Sequence, residues 1–353
     1  MYLKLGEVPV VVATSPNAAH EIMRTHDVTF ATRPWSSTMK ILMADGYGLG
    51  FAPYGDHWRQ LRKISVLELL SARRVQSFRH VREEEAARLV AAVAATPAGE
   101  PANLSELVAE TIADSTVRAL IGDRFGRREE FLKTIEEESK LTSGFNLADL
   151  FPSSWLVSLL SDTSMELMEH AIKQHEEARA TMVLLRIQRE GGINVPLTNG
   201  TIKALIFDLF GAGSKTAAIT LQWAMSELIR HPEMMKKAQD EVSNILNGKP
   251  RVTEDDLGEM KYLKLVIKET LRLHPAAPLL IPREARETCK VLGYDANMEL
   301  VLASLLYHFD WKVEAGLEPT ELDMTEQMGL TIKRKNDLRL YPIVRVPPPQ
   351  FMP

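Results

Sequence analysis

One long apolar segment, residues 200–230, constrains the fold of this chain more than any other feature. It contains about 31 residues, which as an α-helix would extend roughly 46 Å at 1.5 Å rise per residue, enough to cross a whole domain. Because the segment is apolar on most of its faces, we expect it to be buried along its length. Other elements must then pack around it.

Most of the chain between Asp56 and Leu273 also has helical periodicity in its apolar residues. Besides 200–230, the predicted helices are 57–69, 73–94, 105–120, 128–142, 163–189, 232–246, 260–273 and, further on, 296–309. Near the start, Ser15 and Pro16 are typical of a helix N-terminus and predict a helix that ends near His26.

Strand signals are found mainly towards the two ends of the chain. The predicted strands are an N-terminal hairpin (Leu3–Leu5 and Val8–Val12), Leu279–Ile281, Thr288–Leu292, and a closing hairpin (Leu330–Lys333 and Leu338–Val344) around residues 335–337. The sequence therefore predicts a mainly α fold with a small β portion in which the two ends meet. No linker rich in Pro, Gly or Ser divides the chain, so we predict a single domain over residues 1–353.

Composition narrows the class of protein. With 353 residues, 45% of them hydrophobic and 25% charged, the chain is typical of a globular protein with a large core. A net charge of −5 gives no support for nucleic-acid binding, and we expect a monomer that binds none. A single cysteine excludes an intrachain disulfide and favours a reducing compartment. The start lacks the pattern of a signal peptide.

The first candidate motif is residues 54–63, YGDHWRQLRK. Asp56 is a plausible helix N-cap, and Trp58 and Arg62 fall one turn apart on the same face. An indole N–H and a guanidinium aimed together form a good donor pair for a carboxylate. The alternative is a core tryptophan beside an arginine whose stem lies along apolar surface.

The second candidate motif is residues 210–216, FGAGSKT, in the middle of the long segment. Two glycines there cost roughly 1 kcal/mol each relative to alanine. Small residues at a helix centre permit the close approach of a flat ligand, and Thr216 offers a hydroxyl beside them. Tight helix–helix packing is the alternative.

The third candidate motif is residues 268–275, KETLRLHP, at the end of an apolar-periodic helix. Glu269 and Arg272 lie three residues apart, so that carboxylate and guanidinium can pair on one face. The spacing alone is weak, because Glu-x-x-Arg begins at four other positions, which we interpret as solvated helix faces: Glu21, Glu85, Glu176 and Glu227.

Taken together, these motifs resemble one family, the cytochromes P450, of the plant microsomal type that oxidises terpenoids and other specialised metabolites. The resemblance is colinear along the chain. Its motifs are Phe30–Pro34, the Trp58/Arg62 helix, Ala212-Gly213-x-x-Thr216, Lys268–Pro275, Ile281–Glu284 and Glu326–Thr331.

The resemblance implies a role for each motif. Trp58, Arg62 and Arg283 match residues that bind the propionates of haem b. Glu269 and Arg272 match a buried structural pair that supports the core on the haem side. Thr216 matches the hydroxyl that helps deliver protons during oxygen activation.

The resemblance also implies a substrate pocket. Its segments match residues 35–50, 141–156, 202–213, 276–281 and 327–330, and the candidate lining residues are Leu205, Phe210, Ala212, Gly213, Pro278, Leu279, Leu280 and Met328. Most of these side chains are apolar, which suits a hydrophobic substrate.

The chain departs from the family at three places. The family's N-terminal anchor and proline hinge have no counterpart. Lys215 stands where the family has an acid beside the threonine, and a cation there should weaken the proton relay. The family's long segment ending in the glycine-rich loop with the haem-ligating cysteine is missing, with the join near Asp295 and Ala296.

The one cysteine, Cys289, lies seven residues before Ala296, close to the place of the missing ligand. Its surroundings match a family strand, and the loop that would shape a thiolate site is absent. We therefore predict no metal ligand from the sequence and interpret Cys289 as a strand residue. The P450 fold is expected to be incomplete on the side that covers the haem.

By resemblance, the expected activity is haem-dependent monooxygenation of a small apolar specialised metabolite. It would use O2 and electrons from NADPH, delivered by a flavoprotein reductase that docks near Arg59, Lys63, Arg73 and Arg74. The alternatives are a shortened, non-catalytic protein that holds no haem as a thiolate complex, and a hydrophobic-ligand carrier.

The family sits on the endoplasmic reticulum, facing the cytosol. Without the anchor, and if complete as given, this chain is expected to be cytoplasmic.

Overall fold

The structure is a computed structural model. It describes residues 2–13, 15–34, 48–121, 147–155, 157, 198–283, 297–314, 317–327 and 331–347. The predicted helices 128–142 and 163–189 and the predicted strand Thr288–Leu292 lie outside these ranges.

Helices dominate the described residues. They are α1 (Pro16–His20), α2 (Asp56–Ile64), α3 (Ala72–Ser77), α4 (Arg79–Ala94), α5 (Leu104–Ile121), α6 (Leu147–Leu150), α7 (Asn199–Arg230), α8 (Pro232–Leu246), α9 (Lys261–Leu273) and α10 (Asn297–His308). Two π-helical turns, Glu21–Thr25 and Ser65–Leu69, extend α1 and α2. Short 3-10 turns occur at Asp256–Gly258 and Pro319–Glu321.

The described strands are short. They are β1 (Tyr2–Leu5), β2 (Val8–Val11), β3 (Ala102–Asn103), β4 (Phe309–Lys312), β5 (Glu326–Gln327), β6 (Lys333–Arg334) and β7 (Arg339–Val344). They form a β1–β2 hairpin, a three-stranded sheet in the order β3–β7–β4, and a β5–β6 pair, all antiparallel. The predicted mainly α fold with a small β portion is confirmed.

Within the described residues the helix predictions agree with the structure, with one break. The long segment forms α7, which has 32 residues. Ser15 caps α1 by accepting a hydrogen bond from the Ala18 N–H at 3.2 Å. The predicted helix 73–94 is two helices, because Phe78 leaves the helical conformation (φ −96°, ψ 10°) between α3 and α4.

The strand predictions were partly wrong. The N-terminal hairpin is confirmed, with Leu3 opposite Val10. Residues 279–281 form no strand, since Leu280 has a left-handed backbone (φ 58°) and none of the three is in a ladder. The predicted closing hairpin is also wrong, because β6 pairs with β5 while β7 pairs with β3 and β4. The described strands of the two chain ends belong to separate sheets.

The chain divides into two compact units. The first unit contains residues 1–71, 125–211 and 279–294, and the second contains 72–124, 212–278 and 295–353. The single domain expected from the sequence stays a prediction.

The core of the first unit is formed between α2 and the first half of α7. Leu61 and Ile64 pack with Ile202, Leu205 and Ile206. The β1–β2 hairpin is held on α6 at its turn, where the Glu7 N–H donates to the Leu150 carbonyl at 2.7 Å. The packing against α2 fixes the beginning of α7, on which several candidate site residues lie.

The second unit has the larger core. It is built from α4, α5, the second half of α7, α8, α9, α10 and β7, and its most enclosed side chains include Leu104, Ile112, Leu221, Met225 and Phe309. The burial expected for the long helix is therefore found in both halves of α7, each within its own unit. By length and composition alone, residues 200–230 would also suffice to cross a membrane, but nearly half of the apolar window, 47%, is buried inside the protein.

Candidate functional site

Three side chains of the first unit, those of Asp208, Trp58 and Arg33, gather around one dipeptide, Leu49-Gly50. The Asp208 carboxylate on α7 accepts hydrogen bonds from the Leu49 N–H at 2.5 Å and the Gly50 N–H at 2.9 Å. The indole Nε1 of Trp58 on α2 donates to the Leu49 carbonyl at 3.0 Å. Nε of Arg33 donates to the Gly50 carbonyl at 2.9 Å. Every backbone polar group of the dipeptide thus has a side-chain partner.

The Asp208 carboxylate lies among protein atoms, although the side chain keeps part of its surface in solvent. Desolvation raises the pKa of Asp208 to about 6, against the opposing effects of the Gly50 N–H, the Leu49 N–H and the Arg33 charge. With a pKa of about 6, the Asp208 carboxyl changes its charge close to neutral pH.

Two guanidinium groups lie together in the same unit. Burial, and then the neighbouring Arg283, lower the pKa of Arg33 to about 10. The Arg33 Nη1 also donates to the carbonyls of Ile281 (3.2 Å) and Pro282 (3.0 Å), so this side chain ties the segment 281–282 to Gly50. Arg283 is paired with Asp27 at 3.3 Å.

The predicted donor pair Trp58 and Arg62 is found on one face of α2. The Arg62 guanidinium lies 5.4 Å from the centre of the Trp58 ring and is exposed. The only N–H of the indole is already used by Leu49. Arg62 therefore has the freedom to meet an anion, whereas Trp58 would first have to leave Leu49.

The middle of α7 opens to solvent within the second unit. Ala212 and Gly213 are exposed, and the Thr216 hydroxyl donates to the Ala212 carbonyl at 2.5 Å. In this hydrogen bond the hydroxyl donates its proton to a carbonyl of the helix backbone. Among the described residues, tight helix packing, the alternative for these small residues, is not found at Gly213, where the nearest described atom to an added Cβ is Thr116 Cγ2 at 4.0 Å.

Glu269 and Arg272 form the predicted ion pair, but it is not buried. Two hydrogen bonds of 2.6 and 2.8 Å join the guanidinium to the carboxylate. The side chains are 55% and 66% exposed. The Arg272 hydrogen bonds lower the pKa of Glu269. The burial implied by the family resemblance is therefore corrected to a solvated pair on α9.

Two predicted pocket residues lie inside the protein. Leu205 is fully buried in the core of the first unit, and Phe210 is 1% exposed. Three others lie at the surface: Pro278 is exposed, Leu279 is 75% exposed and Leu280 is 49% exposed. Met328 lies outside the described residues. The described candidates therefore include both core side chains and open apolar surface.

The described residues can supply contacts to the carboxylates of haem, but they supply no thiolate ligand for its iron. Arg62, Arg283 and Arg33 supply cations of the kind that binds carboxylates. The one cysteine, Cys289, lies outside the described residues, which therefore hold no thiolate. Among the described residues no group of three His, Cys, Asp or Glu side chains could hold a metal ion.

Sequence reasoning missed the partners of Leu49-Gly50. The resemblance assigns no role to Arg33, although this residue lies in the motif Phe30–Pro34, and none to Asp208, two residues before Phe210. The available signal was a carboxylate on an otherwise apolar helix segment, together with two glycines, Gly48 and Gly50, at the facing turn. Glu85, expected on a solvated face, is 3% exposed and joins Arg88 and Arg118, each at 2.7 Å.

Comparison with known proteins places the chain in a family. Residues 1–297 match the family described as Cytochrome P450. The match ends beside the predicted join at Asp295 and Ala296. The structure is similar to that of a zebrafish cytochrome P450 solved with abiraterone, with a TM-score of 0.76 and 16% identity, over 98% of this chain and 95% of that one. That likeness shows the fold.

Three plant proteins are similar over nearly the whole chain. Dolabradiene monooxygenase from Zea mays is 40% identical, covering 99% of this chain and 86% of that protein. Desmethyl-deoxy-podophyllotoxin synthase from Sinopodophyllum hexandrum is 38% identical, covering 98% and 84%. Premnaspirodiene oxygenase from Hyoscyamus muticus is 38% identical, covering 96% and 85%.

The first of these alignments extends over 434 residues, although this chain has 353. The maize protein therefore carries residues inside the aligned region that have no counterpart here, as expected from the missing segment. The family, the fold class and the monooxygenase function inferred from the resemblance are confirmed. The chain belongs to the cytochrome P450 family of haem-dependent monooxygenases.

Proposed function

We propose that this protein hydroxylates a small apolar plant metabolite of the terpenoid type. The observation that carries the proposal is identity of 36% to 40% with plant oxygenases over nearly the full chain, among them proteins named for dolabradiene, premnaspirodiene and germacrene A. The exposed apolar surface of Leu279 and Leu280 is in keeping with such a substrate.

Haem is the cofactor that the family implies, and binding by this chain is part of the proposal. Arg62 and Arg283 would meet its carboxylates, with Arg33 as a third cation nearby in the first unit. When bound, haem supplies the activation of O2, from which one oxygen atom enters the substrate. Arg283 would need to share its guanidinium with Asp27, its partner at 3.3 Å.

Thr216 is proposed to hold a proton at its Oγ1 for oxygen activation. To do so the hydroxyl must turn away from the Ala212 carbonyl, its partner at 2.5 Å. Lys215 beside it carries a positive charge, which can neither accept that proton nor relay it as a carboxylate would. Proton delivery through this pair is therefore expected to be slow.

Electrons are proposed to come from NADPH through a flavoprotein reductase, as is general in the family. Exposed cations suited to an acidic partner are Lys63 in the first unit and Arg73 in the second. Arg59 is engaged with Asp56 at 2.5 Å, and Arg74 lies 4.8 Å from the centre of the Phe78 ring. Lys63→Glu and Arg73→Glu should each slow reduction, most at low salt. If Lys63→Glu and Arg73→Glu are each reduced as fast as Lys236→Glu, neither cation takes part in docking.

Plant members of the family are typically bound to the endoplasmic reticulum membrane. The location of this chain can be read from a fluorescent fusion in leaf cells. A reticular pattern would support the family's location, and a diffuse one would support the cytoplasmic location expected from the sequence.

The decisive experiment is expression with excess haem, followed by the ferrous–CO difference spectrum. A thiolate-type Soret band, with conversion of a germacrene-type hydrocarbon in the presence of reductase and NADPH, supports the proposal. If no band forms and no haem remains with the protein on gel filtration, the protein is a non-catalytic member of the family. Binding of the hydrocarbon by the haem-free protein would then indicate a hydrophobic-ligand carrier.

A further inference from the structure

A cleft of about 380 Å³ lies in the second unit, where α7 ends and α8 begins. One of its walls is formed by Leu228 and Ile229 on α7 and by Met235 on α8, none of which is more than 9% exposed. Small-molecule sites commonly enclose about 300 to 1,000 Å³, so the cleft is large enough for a ligand. Leu228 follows Thr216 by roughly 18 Å along α7 at 1.5 Å rise per residue, and the cleft therefore lies away from that hydroxyl.

The opposite wall is formed by β4 and the residues that follow it. Trp311 and Val313 line the cleft and pack against the large core, and Leu317, which is 37% exposed, also lines it. The two walls are joined directly, because Nε2 of Gln239 on α8 donates to the carbonyl of Phe309 on β4 at 3.1 Å. The spacing between the walls is thus fixed without a ligand.

The charges at the cleft favour a neutral ligand. Lys312 and Glu314 line it with exposed side chains of opposite charge. Their charges offset each other, and the other described lining residues carry none. An ion would gain little in such a place, whereas an apolar molecule would leave water for contact with apolar side chains.

One polar group of the cleft is left without a partner. The indole Nε1 of Trp311 is shielded from solvent and has no hydrogen-bond partner among the described residues. A buried N–H in this state costs free energy, which an acceptor on a ligand would recover. The Trp311 ring is held at one side by Phe309, with ring centroids 5.4 Å apart, so a turn of the indole towards the cleft is the movement that would present its N–H.

We propose that this cleft binds a neutral apolar molecule with one hydrogen-bond acceptor, of the cyclic-ketone type, and that Trp311 donates its indole N–H to that acceptor. The space equals about a dozen waters at about 30 Å³ each, which admits a molecule of roughly ten to fifteen non-hydrogen atoms. The site does not depend on the proposed function. Its residues also lie outside the segments that the family resemblance places at the substrate pocket.

The experiment is 13C NMR of the full-length protein labelled at the methionine methyl groups. The protein is titrated with 4-tert-butylcyclohexanone and, separately, with tert-butylcyclohexane, which has the same frame without the carbonyl. Met235 reports from the wall of the cleft. Met260 is the internal control, since it is fully buried and is not among the described residues that line the cleft. Met235→Leu and Met260→Leu assign the two signals.

Two variants test the walls of the cleft. Trp311→Phe keeps an aromatic ring but has no N–H, and Leu317→Trp fills the space with a larger side chain. Trp155→Phe is the matched control, because Trp155 is 71% exposed and belongs to the first unit.

Both molecules should shift the Met235 signal to saturation and leave the Met260 signal unchanged. The ketone should bind about threefold to tenfold more tightly than the hydrocarbon, which is the gain expected from one hydrogen bond. Trp311→Phe should abolish this ratio, and Leu317→Trp should weaken the binding of both molecules. Trp155→Phe should match the wild type.

A Met235 signal that neither molecule shifts, or undiminished binding in Leu317→Trp, would overturn the site. Equal affinities for ketone and hydrocarbon in the wild type, or an unchanged ratio in Trp311→Phe, would overturn the role of the indole N–H and with it the ligand class. The readout requires neither haem nor turnover. A negative result would therefore leave the proposed monooxygenase function standing, and a failure of that function would leave this site standing.

Discussion

The imidazole of His274 lies flat on the indole of Trp223, with ring centroids 4.1 Å apart and ring planes 2° from parallel. Trp223 is fully buried, and the His274 side chain is 14% exposed. His274 Nε2 also lies 2.7 Å from Glu227 Oε1. One imidazole thus joins the end of α9 to the side of α7.

His274→Ala should destabilise the protein by about 2–4 kcal/mol, because it removes an aromatic stack and leaves a partly buried carboxylate with fewer partners. The measurement is urea unfolding followed by tryptophan fluorescence. His231→Ala is the control, since His231 contacts the same Glu227 at 3.5 Å but is 56% exposed. Its expected cost is below about 1 kcal/mol. Equal losses in both variants would contradict the role given to burial.

Two Glu-x-x-Arg pairs should differ sharply when the glutamate is removed. Glu85→Ala leaves the 15% exposed Arg118 without one of its partners and should cost about 3–5 kcal/mol of unfolding free energy. Glu269→Ala breaks only a solvated pair and should stay within about 0.5–1 kcal/mol in the haem-free protein.

Chemical denaturation at two salt concentrations checks this contrast. The small effect of Glu269→Ala should shrink at high salt, since exposed charges are screened. A large loss in Glu269→Ala would mean that the pair is buried in solution, as the family resemblance implied.

Adding one methyl group should have opposite effects at two glycines. Gly48→Ala places a Cβ 2.1 Å from Asp208 Oδ2, so the turn or the carboxylate must move, at a cost of about 1–3 kcal/mol. Gly211→Ala, in the middle of α7, meets no atom of the described residues within 4 Å and should stabilise by about 0.5–1 kcal/mol. Thermal unfolding midpoints should therefore move in opposite directions, and a shift of the same sign in both variants would refute the close approach at Gly48.

Asp208 should give the wild-type protein a pH-dependent stability that Asp208→Asn lacks. Its folded-state pKa of about 6 is raised above the ordinary aspartate value of 3.8, so its favourable contribution is complete below about pH 4 and is lost as the pH rises through 6. Two pKa units correspond to at most about 3 kcal/mol. Urea unfolding at intervals from pH 4.5 to pH 7.5 measures the difference between the two proteins. A constant difference over this range would show that the Asp208 pKa is not raised.

The sequence was sufficient for the helices because their signal is local. Apolar periodicity located α7 within one residue, and the caps Ser15 and Pro16 located α1. The strand predictions failed where the pairing partners are distant in the sequence. A turn-forming run at 335–337 predicts a hairpin, yet the Arg334 side chain binds Ser226 Oγ at 2.8 Å and the Asp323 carbonyl at 2.6 Å, and β6 pairs with the strand beside Asp323.

The site was less predictable than the fold for the same reason. A spacing of four residues correctly brought Trp58 and Arg62 together on one helix face. No spacing indicates that the Trp58 N–H is taken by Leu49, or that Asp208 reaches the same dipeptide from another helix. The exposure of Glu269 was equally unpredictable, because a local sequence pattern predicts the ion pair but not whether other parts of the chain bury it.

The position of β7 sets an order of events during synthesis. This strand lies between β3 and β4, and the adjoining Leu338 accepts the N–H of Leu104 at 2.9 Å and donates to Ser105 Oγ at 2.8 Å. Residues 102–105 therefore wait for almost the entire chain to leave the ribosome before their partner exists. Until then β3 and β4 present open edges, which favour association between chains. A message that stops short of Arg339 should yield aggregates, whereas one that stops just after Val344 should not.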